Sequence, residues 1–414
     1  MQIQRLLAGI LFIAAISVPA VAQSAYRQKV QGQFERWLQA KAWPDAKKKG
    51  VSRATFDRAT RGLRLNWSIP DLQPPGTSKK APKKQRQSEF GSPSRYFNQK
   101  RLANQAAAGR RLMAKWGKTL AAVEQRYGVP RRILMAIWAR ESAFGRAKMP
   151  ENTIRALGTS AFMGRRPKLF YPEFIAALQI LQRGDISAER MRGSWAGALG
   201  QPQFLPTKFL TLAVDFDGDG RRDIWDSVPD TLASIANYLK QSGWQPGRDW
   251  GFEANVPAGV TCALEGPDLG KPFAEWVRLG VTRPNGRPFP AAEMKRTGFL
   301  LMPAGRKGPA FIATQNFYTL KEYNESDLYA LYIGNLADRF GKGGNFYGKW
   351  GKVGGFNRRD GQKMQERLER HGLDVGGADG LVGFKTRRSI GKWQMAKGQQ
   401  PTCFPDRRVV KAIR

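Results

Sequence analysis

A mainly helical α+β chain is expected from three features of the sequence. Apolar residues recur at helical spacing over residues 26–67 and again, with interruptions, from about 97 to 242. Turn signals then break the apolar runs short between about 243 and 315, the texture of a small β-containing insert. A glycine-rich stretch at 343–355 finally sets off a separate small module at 356–414.

Taken in order, the chain opens with Arg5, runs through L-L-A-G-I-L-F-I-A-A-I-S-V and reaches small residues at Ala20 and Ala22. A charged start, a short apolar run and a small-residue exit make residues 1–22 a cleavable secretory signal. The run falls short of the roughly 20 apolar residues of a membrane span. No cysteine stands directly after the expected cleavage point, so an exported, periplasmic chain without a lipid anchor is expected. Phe34, Trp37 and Leu38 share a helical face, and Ser52 is a start signal for the helix holding A-T-F-D-R-A. S-I-P-D-L-Q-P-P-G-T-S-K-K-A-P-K-K-Q-R-Q-S, at 68–88, reads as a loop or linker. In the insert, G-W-Q-P-G-R-D-W, V-P-A-G-V and T-R-P-N-G-R-P-F-P mark turns between short strands, and E-S-D-L-Y-A-L-Y-I-G-N-L-A-D-R-F at 325–340 returns to helix.

Composition prunes the chemistry. The net charge is +36, and removing Arg5 with the signal leaves +35 (36 − 1). Such a surplus calls for an acidic partner: nucleic acid, anionic membrane or an acidic polymer. Export disfavours nucleic acid and points to a cell-envelope polymer. His371 is the single histidine, so a histidine-based hydrolase or zinc enzyme would have to be built around it. Cys262 and Cys403 form no CxxC and fall in different expected modules; an oxidising compartment permits a bond between them, but spacing does not show proximity. Carboxylates must therefore carry any catalysis.

One carboxylate is oddly placed. In I-L-M-A-I-W-A-R-E-S-A-F-G-R, at 133–146, Ile133, Ile137 and Glu141 fall at i, i+4 and i+8, and Leu134, Trp138 and Glu141 at i, i+4 and i+7. Glu141 thus lies in line with an apolar stripe, where an unpaired charge is costly. A pairing with Arg140 or Arg146 at the helix end is the bland account. A carboxylic acid kept protonated near neutral pH by its apolar surround is the functional one.

A second acidic feature is D-F-D-G-D-G-R-R-D-I-W-D at 215–226, which follows the twelve-residue EF-hand pattern. Asp215, Asp217 and Asp219 take positions 1, 3 and 5, Gly220 the sharp turn, Arg221 offers a carbonyl, Asp223 ligates directly or through water, and Asp226 stands where Glu is usual. Ca²⁺ in a structural role is expected, with no cofactor for catalysis. Arg221 and Arg222 beside an acidic turn are the alternative.

Four ordered stretches resemble the B-type lytic murein transglycosylases, glycoside hydrolase family 103: R-E-S-A-F-G-R, G-S-W-A-G-A-L-G-Q-P-Q-F-L-P from Gly193, the 213–226 loop with S-I-A-N-Y-L-K, and N-F-Y-T-L-K-E-Y-N-E-S-D-L-Y from Asn316. The resemblance spans roughly 26–342 and departs from the family at Gln201-Pro202 and Phe144. It implies a lysozyme-like core within a catalytic region of 23–342. It also implies Glu141 as acid and then base at the MurNAc–GlcNAc bond, leaving 1,6-anhydro ends. By the same resemblance Ser194 and Gln203 contact the sugar and Tyr238, Tyr323, Asn324 and Tyr329 line the substrate groove, with Tyr323 or Asn324 close enough to hydrogen-bond Glu141 or the reacting sugar. Trp138, Trp195, Trp225 and Trp244 are expected in the core. The last module, with K-M-Q-E-R-L-E-R-H-G, D-V-G-G-A-D-G-L-V-G and T-R-R-S-I-G-K-W-Q, resembles the three-helix peptidoglycan-binding domain, and His371 a helix-end cap. Peptidoglycan glycan strands, and with them cell-wall synthesis machinery, are the implied partners. A hydrolytic muramidase and a non-catalytic wall-binding protein are the competing classes.

Overall fold

The computed structural model describes residues 20–77, 93–353 and 356–413. The signal expected at 1–22 lies outside the described residues up to residue 19, as do 78–88 of the Lys-rich stretch and two glycines of the hinge. Among the described residues, no helix is long and apolar enough to cross a membrane.

The chain begins with α1 (Ala20–Trp37), α2 (Trp43–Lys48) and α3 (Arg53–Thr60). The start signal works as expected: the Ser52 hydroxyl accepts from the Thr55 amide at 3.2 Å, satisfying one orphan donor of α3. Helices α4 (Gln99–Lys115), α5 (Gly117–Tyr127) and α6 (Arg131–Ser142) follow, then α7 (Thr153–Met163), α8 (Pro167–Arg183), α9 (Pro206–Leu212) and α10 (Val228–Gln241). A two-stranded ribbon pairs β1 (Glu151–Asn152) with β2 (Arg192–Gly193).

The insert carries a four-stranded antiparallel sheet. Its strands β3 (Gly251–Ala254), β4 (Lys271–Pro272), β5 (Thr297–Leu301) and β6 (Ala310–Ala313) lie in the order β3-β6-β5-β4, with α11 (Phe273–Arg278) between β4 and β5 in sequence. Phe252, Phe273, Trp276, Leu300 and Ile312 form its core. Helices α12 (Gln315–Tyr323) and α13 (Asp327–Phe340) return to the main body, and α14 (Arg358–Arg370), α15 (Phe384–Ala396) and α16 (Arg407–Ala412) make the last unit. The expected class, mainly helical with small sheets, holds.

Two cores divide the body. One gathers Val30, Phe34 and Leu38 with α7 and α8; Phe34 meets Phe162 at 5.3 Å. The other wraps α4, α5, α10, α12 and α13 around α6, in which every residue from Ile133 to Ala139 is buried. A helix apolar on all sides belongs in the centre of a domain. Close approach helps: a Cβ on Gly109 of α4 would stand 2.2 Å from the Phe340 ring of α13.

The last unit has its own core of Met364, Leu368, Ile390 and Trp393, yet it does not hang free. Cys262 of the insert is bonded to Cys403, bridging 141 residues. Asp268 accepts from Arg388 and Asp406 from Lys307, at 2.8 and 2.6 Å. The glycine-rich hinge also lies against the body: Trp350 stacks on Phe97 at 5.2 Å, and Glu253 accepts from the Tyr347 and Gly348 amides. Glycine lets this stretch lie close to the body, since a Cβ on Gly348 would stand 2.9 Å from Pro309; Phe346 and Trp350 pack on apolar surface while Tyr347 is exposed.

Candidate active site

Glu141 sits in the last turn of α6, half-buried just beyond the run of fully buried residues 133–139. The helix ends abruptly: Ala143, Phe144 and Gly145 all have positive φ, at 51°, 62° and 77°. Left-handed backbone at a bulky residue such as Phe144 is rare and persists only where packing over-determines it. Here the Phe144 ring meets Trp138 edge-on at 5.4 Å. Gly145 has a second reason, since a Cβ there would fall 2.4 Å from Gln201 Oε1.

The carboxyl of Glu141 is held by one strong contact: the Tyr329 hydroxyl donates to Oε1 at 2.6 Å. Burial pushes the Glu141 carboxyl above its ordinary value; Tyr329 and, more distantly, Arg140 pull the other way and lose. The bland ion pair is not formed. Arg140 donates to the Tyr96 hydroxyl at 2.7 Å and lies over the Tyr96 and Tyr332 rings, while Arg146 donates to the Ala143 carbonyl. No second carboxylate is among the groups acting on Glu141.

The aromatic wall comes from α10, α12 and α13. Tyr329 is buried, and its ring stacks parallel to Tyr323 at 6.4 Å; Tyr323 in turn meets Tyr238 at 4.7 Å. Tyr323 donates to the Pro202 carbonyl and Tyr238 to the Glu322 carbonyl. Burial, then the Glu141 charge, pushes the Tyr323 and Tyr329 hydroxyls well up, so both stay protonated donors. The hydrogen bond to Glu141 comes from Tyr329, whereas Tyr323, expected with Asn324 to reach Glu141 or the reacting sugar, donates to Pro202. Asn324 is exposed at the end of α12, where its side-chain oxygen accepts from Ser326.

The small-residue loop folds back on itself. Leu199 pairs with both Gly193 and Phe204, and the Ser194 hydroxyl accepts from the Ala198 amide at 3.1 Å. Gln203, at φ 55°, donates to Gly200 and reaches Met149 beyond α6. Two contributors escaped the pattern reading. Gln201 is buried, accepts from Trp138 at 2.7 Å and donates to Trp225, tying the Glu141 helix to this loop. Trp195 is 39% exposed beside Ser194, not in the core where it was expected; Trp138 and Trp244 are buried and Trp225 is half-buried. Neither spacing nor residue type marks Trp195 as exposed; loop geometry decides it.

In the acidic loop, Asp215, Asp217 and Asp230 bring carboxylate oxygens within 4.8 Å of one another. Asp219 turns to Arg221, Asp223 caps the Trp225 and Asp226 amides, and Asp226 pairs with Arg190. Asp230, outside the twelve-residue pattern, is fully buried and accepts from the Phe216 and Asp223 amides. The donor set suits a hard cation with oxygen ligands.

A model of the transglycosylase SLT domain family matches residues 33–338. The chain belongs to the transglycosylase SLT family. Within this family it is similar to SltB3 of Pseudomonas aeruginosa, solved with NAG-anhNAM-pentapeptide, at 38% identity and a TM-score of 0.80, covering 92% of this chain and 99% of that one. It is also similar to SLT35 of Escherichia coli, solved with calcium, at 28% identity and a TM-score of 0.52, over 61% of this chain and 80% of that one. The curated family member "Membrane-bound lytic murein transglycosylase B" of Escherichia coli K12 is 31% identical over 219 residues. The match covers 51% of this chain and 57% of that relative's length.

Proposed function

We propose that this protein is an exported peptidoglycan lytic transglycosylase that cleaves the MurNAc–GlcNAc β-1,4 bond without water. The observation carrying this reading is Glu141 itself, half-buried at the end of α6, its carboxyl pushed above the ordinary range by burial and no second carboxylate among the groups acting on it. Ordinary glycosidases need two carboxylates flanking the bond; here the nucleophiles must come from the substrate.

In the first step the Glu141 carboxyl gives its proton to the glycosidic oxygen as the C1–O bond breaks. The N-acetyl carbonyl oxygen of the same MurNAc bonds to C1. In the second step the Glu141 carboxylate takes the proton of the 6-hydroxyl, whose oxygen bonds to C1 and displaces the N-acetyl oxygen. A 1,6-anhydro ring results and the proton returns to Glu141. Tyr329 stabilises the carboxylate form between the steps, while Tyr323, Ser194, Gln203 and Asn324 contact the sugars. The SltB3 complexes, with NAG-NAM- and NAG-anhNAM-pentapeptides, are consistent with this substrate.

Asp215 and Asp217, with the buried Asp230 beside them, would hold a Ca²⁺ through their carboxylate oxygens, while Asp219, Asp223 and Asp226 keep the partners described above. The ion's charge would relieve the crowding of carboxylates and pin the loop to α10. The 356–414 module would hold the enzyme on the wall. The test is mass spectrometry of digested sacculi, with wild type and Glu141→Gln. Anhydro ends with wild type and no lysis with the variant are expected; hydrated reducing ends would make the enzyme a muramidase.

A further inference from the structure

A buried set of charges joins the C-terminal module to the turn that carries the tyrosine wall. Arg387 of α15 grips Glu265 of the insert with two donors, Nε at 2.9 Å and Nη2 at 2.7 Å. The same Nη2 donates to Asp327 at 2.8 Å. The other oxygen of Asp327 accepts from Lys321 at 2.6 Å. Side-chain exposures are 4% for Arg387, 1% for Glu265 and 13% for Asp327, so the Arg387–Glu265 pair lies out of reach of bulk water.

The placement is informative. Lys321 lies two residues before Tyr323 on α12, and Asp327 opens α13 two residues before Tyr329. The bridge therefore brackets the turn that sets Tyr323 and Tyr329 against each other and against Glu141. Lys321 ties the two helices by charge, beside the stacking of Tyr323 on Tyr329, and Arg387 anchors that tie to Glu265 of the insert. The group balances two positive and two negative charges. Without Arg387, Asp327 would keep Lys321 as its partner, and Glu265 would keep the Met302 amide but no cation.

We propose that Arg387 is a positioning residue for the reaction: from the C-terminal module it fixes the α12–α13 turn, and so holds the Tyr329 hydroxyl on Glu141. This rests on the assignment of Glu141 above. The module thus becomes part of the catalytic unit and not only an anchor. A planar guanidinium reaches both carboxylates at once, which a lysine ammonium does not do in the same geometry. Around Glu141 itself the facing groups are Tyr329, Tyr323 and Arg140; the bridge acts through the first two.

The test uses the full-length protein with Arg387→Met, Arg387→Lys and Arg387→Met/Glu265→Gln, the last keeping the site neutral and foldable. Turnover on soluble glycan chains, its pH profile and pelleting with sacculi are measured, with Glu141→Gln alongside. Expected is a fall in kcat of roughly tenfold or more with KM little changed in the Met variants, and partial recovery in the Lys variant. The alkaline limb should move to higher pH as Tyr329 loosens, while pelleting persists. Wild-type kcat and pH profile in a cooperatively melting double variant would overturn the proposal, as would a loss confined to pelleting. Full activity of Glu141→Gln would instead remove the catalytic assignment beneath it.

Discussion

Replacing Tyr329 by Phe removes one atom from the contact that governs Glu141. The ring keeps its stack on Tyr323 at 6.4 Å and its burial, so the change isolates the hydroxyl. A hydrogen bond to a charged group contributes about 1.5–3 kcal/mol, which is roughly 10- to 150-fold in a rate or equilibrium. The bond favours the carboxylate, so it opposes the burial that pushes Glu141 up. Losing it leaves burial less opposed, and Glu141 keeps its proton to higher pH. Because the first step needs the protonated acid, the alkaline limb of kcat/KM should move upward. The second step needs the carboxylate, so kcat at the optimum should fall by about tenfold or more. Stability has the same sign. A carboxyl raised on folding contributes stability that is complete below its unfolded value and is lost as pH rises through the folded one. Tyr329→Phe should therefore lower Tm more at pH 8 than at pH 4. Rates on soluble glycan between pH 4 and 9, with melting curves at both ends, are the assay. A profile superimposable on wild type, with unchanged kcat, would refute the assigned role of Tyr329.

Calcium should raise Tm in wild type and not in Asp215→Ala/Asp217→Ala, since a ligand that binds only the folded state stabilises it by mass action; chelator-insensitive melting would reject the ion. Cys262→Ser/Cys403→Ser should cost roughly 4–5 kcal/mol in the chain-entropy account of a long closed loop, read as a fall in denaturation midpoint. Trp195→Ala should raise KM for glycan severalfold with little change in Tm, because an exposed ring contributes to ligand contact more than to the core; a large Tm loss with unchanged KM would return Trp195 to a packing role.

Local rules determined much of this protein. The helical spacing around Ile133, Leu134, Ile137 and Trp138 gave both the central helix and the odd position of Glu141, because burial of a stripe is a property of periodicity. Turn residues marked the insert, and Ser52 marked a helix start, because caps and turns are set by neighbours in sequence. The ordered motifs pointed to the family through short-range chemistry at fixed spacing. Partners far apart in the chain were not legible. That Tyr329 rather than Tyr323 holds Glu141, 188 residues away, follows from how α13 packs on α6. Asp230 joins the acidic loop because α10 starts beneath it, and Trp195 is exposed because its loop folds back at Leu199. Arg387, Glu265 and Asp327 stand in three separate segments, and only packing brings them together. Charge pairs and disulfides take their partners from three-dimensional proximity, and a one-dimensional pattern of residue types carries no distance between segments that meet only after folding.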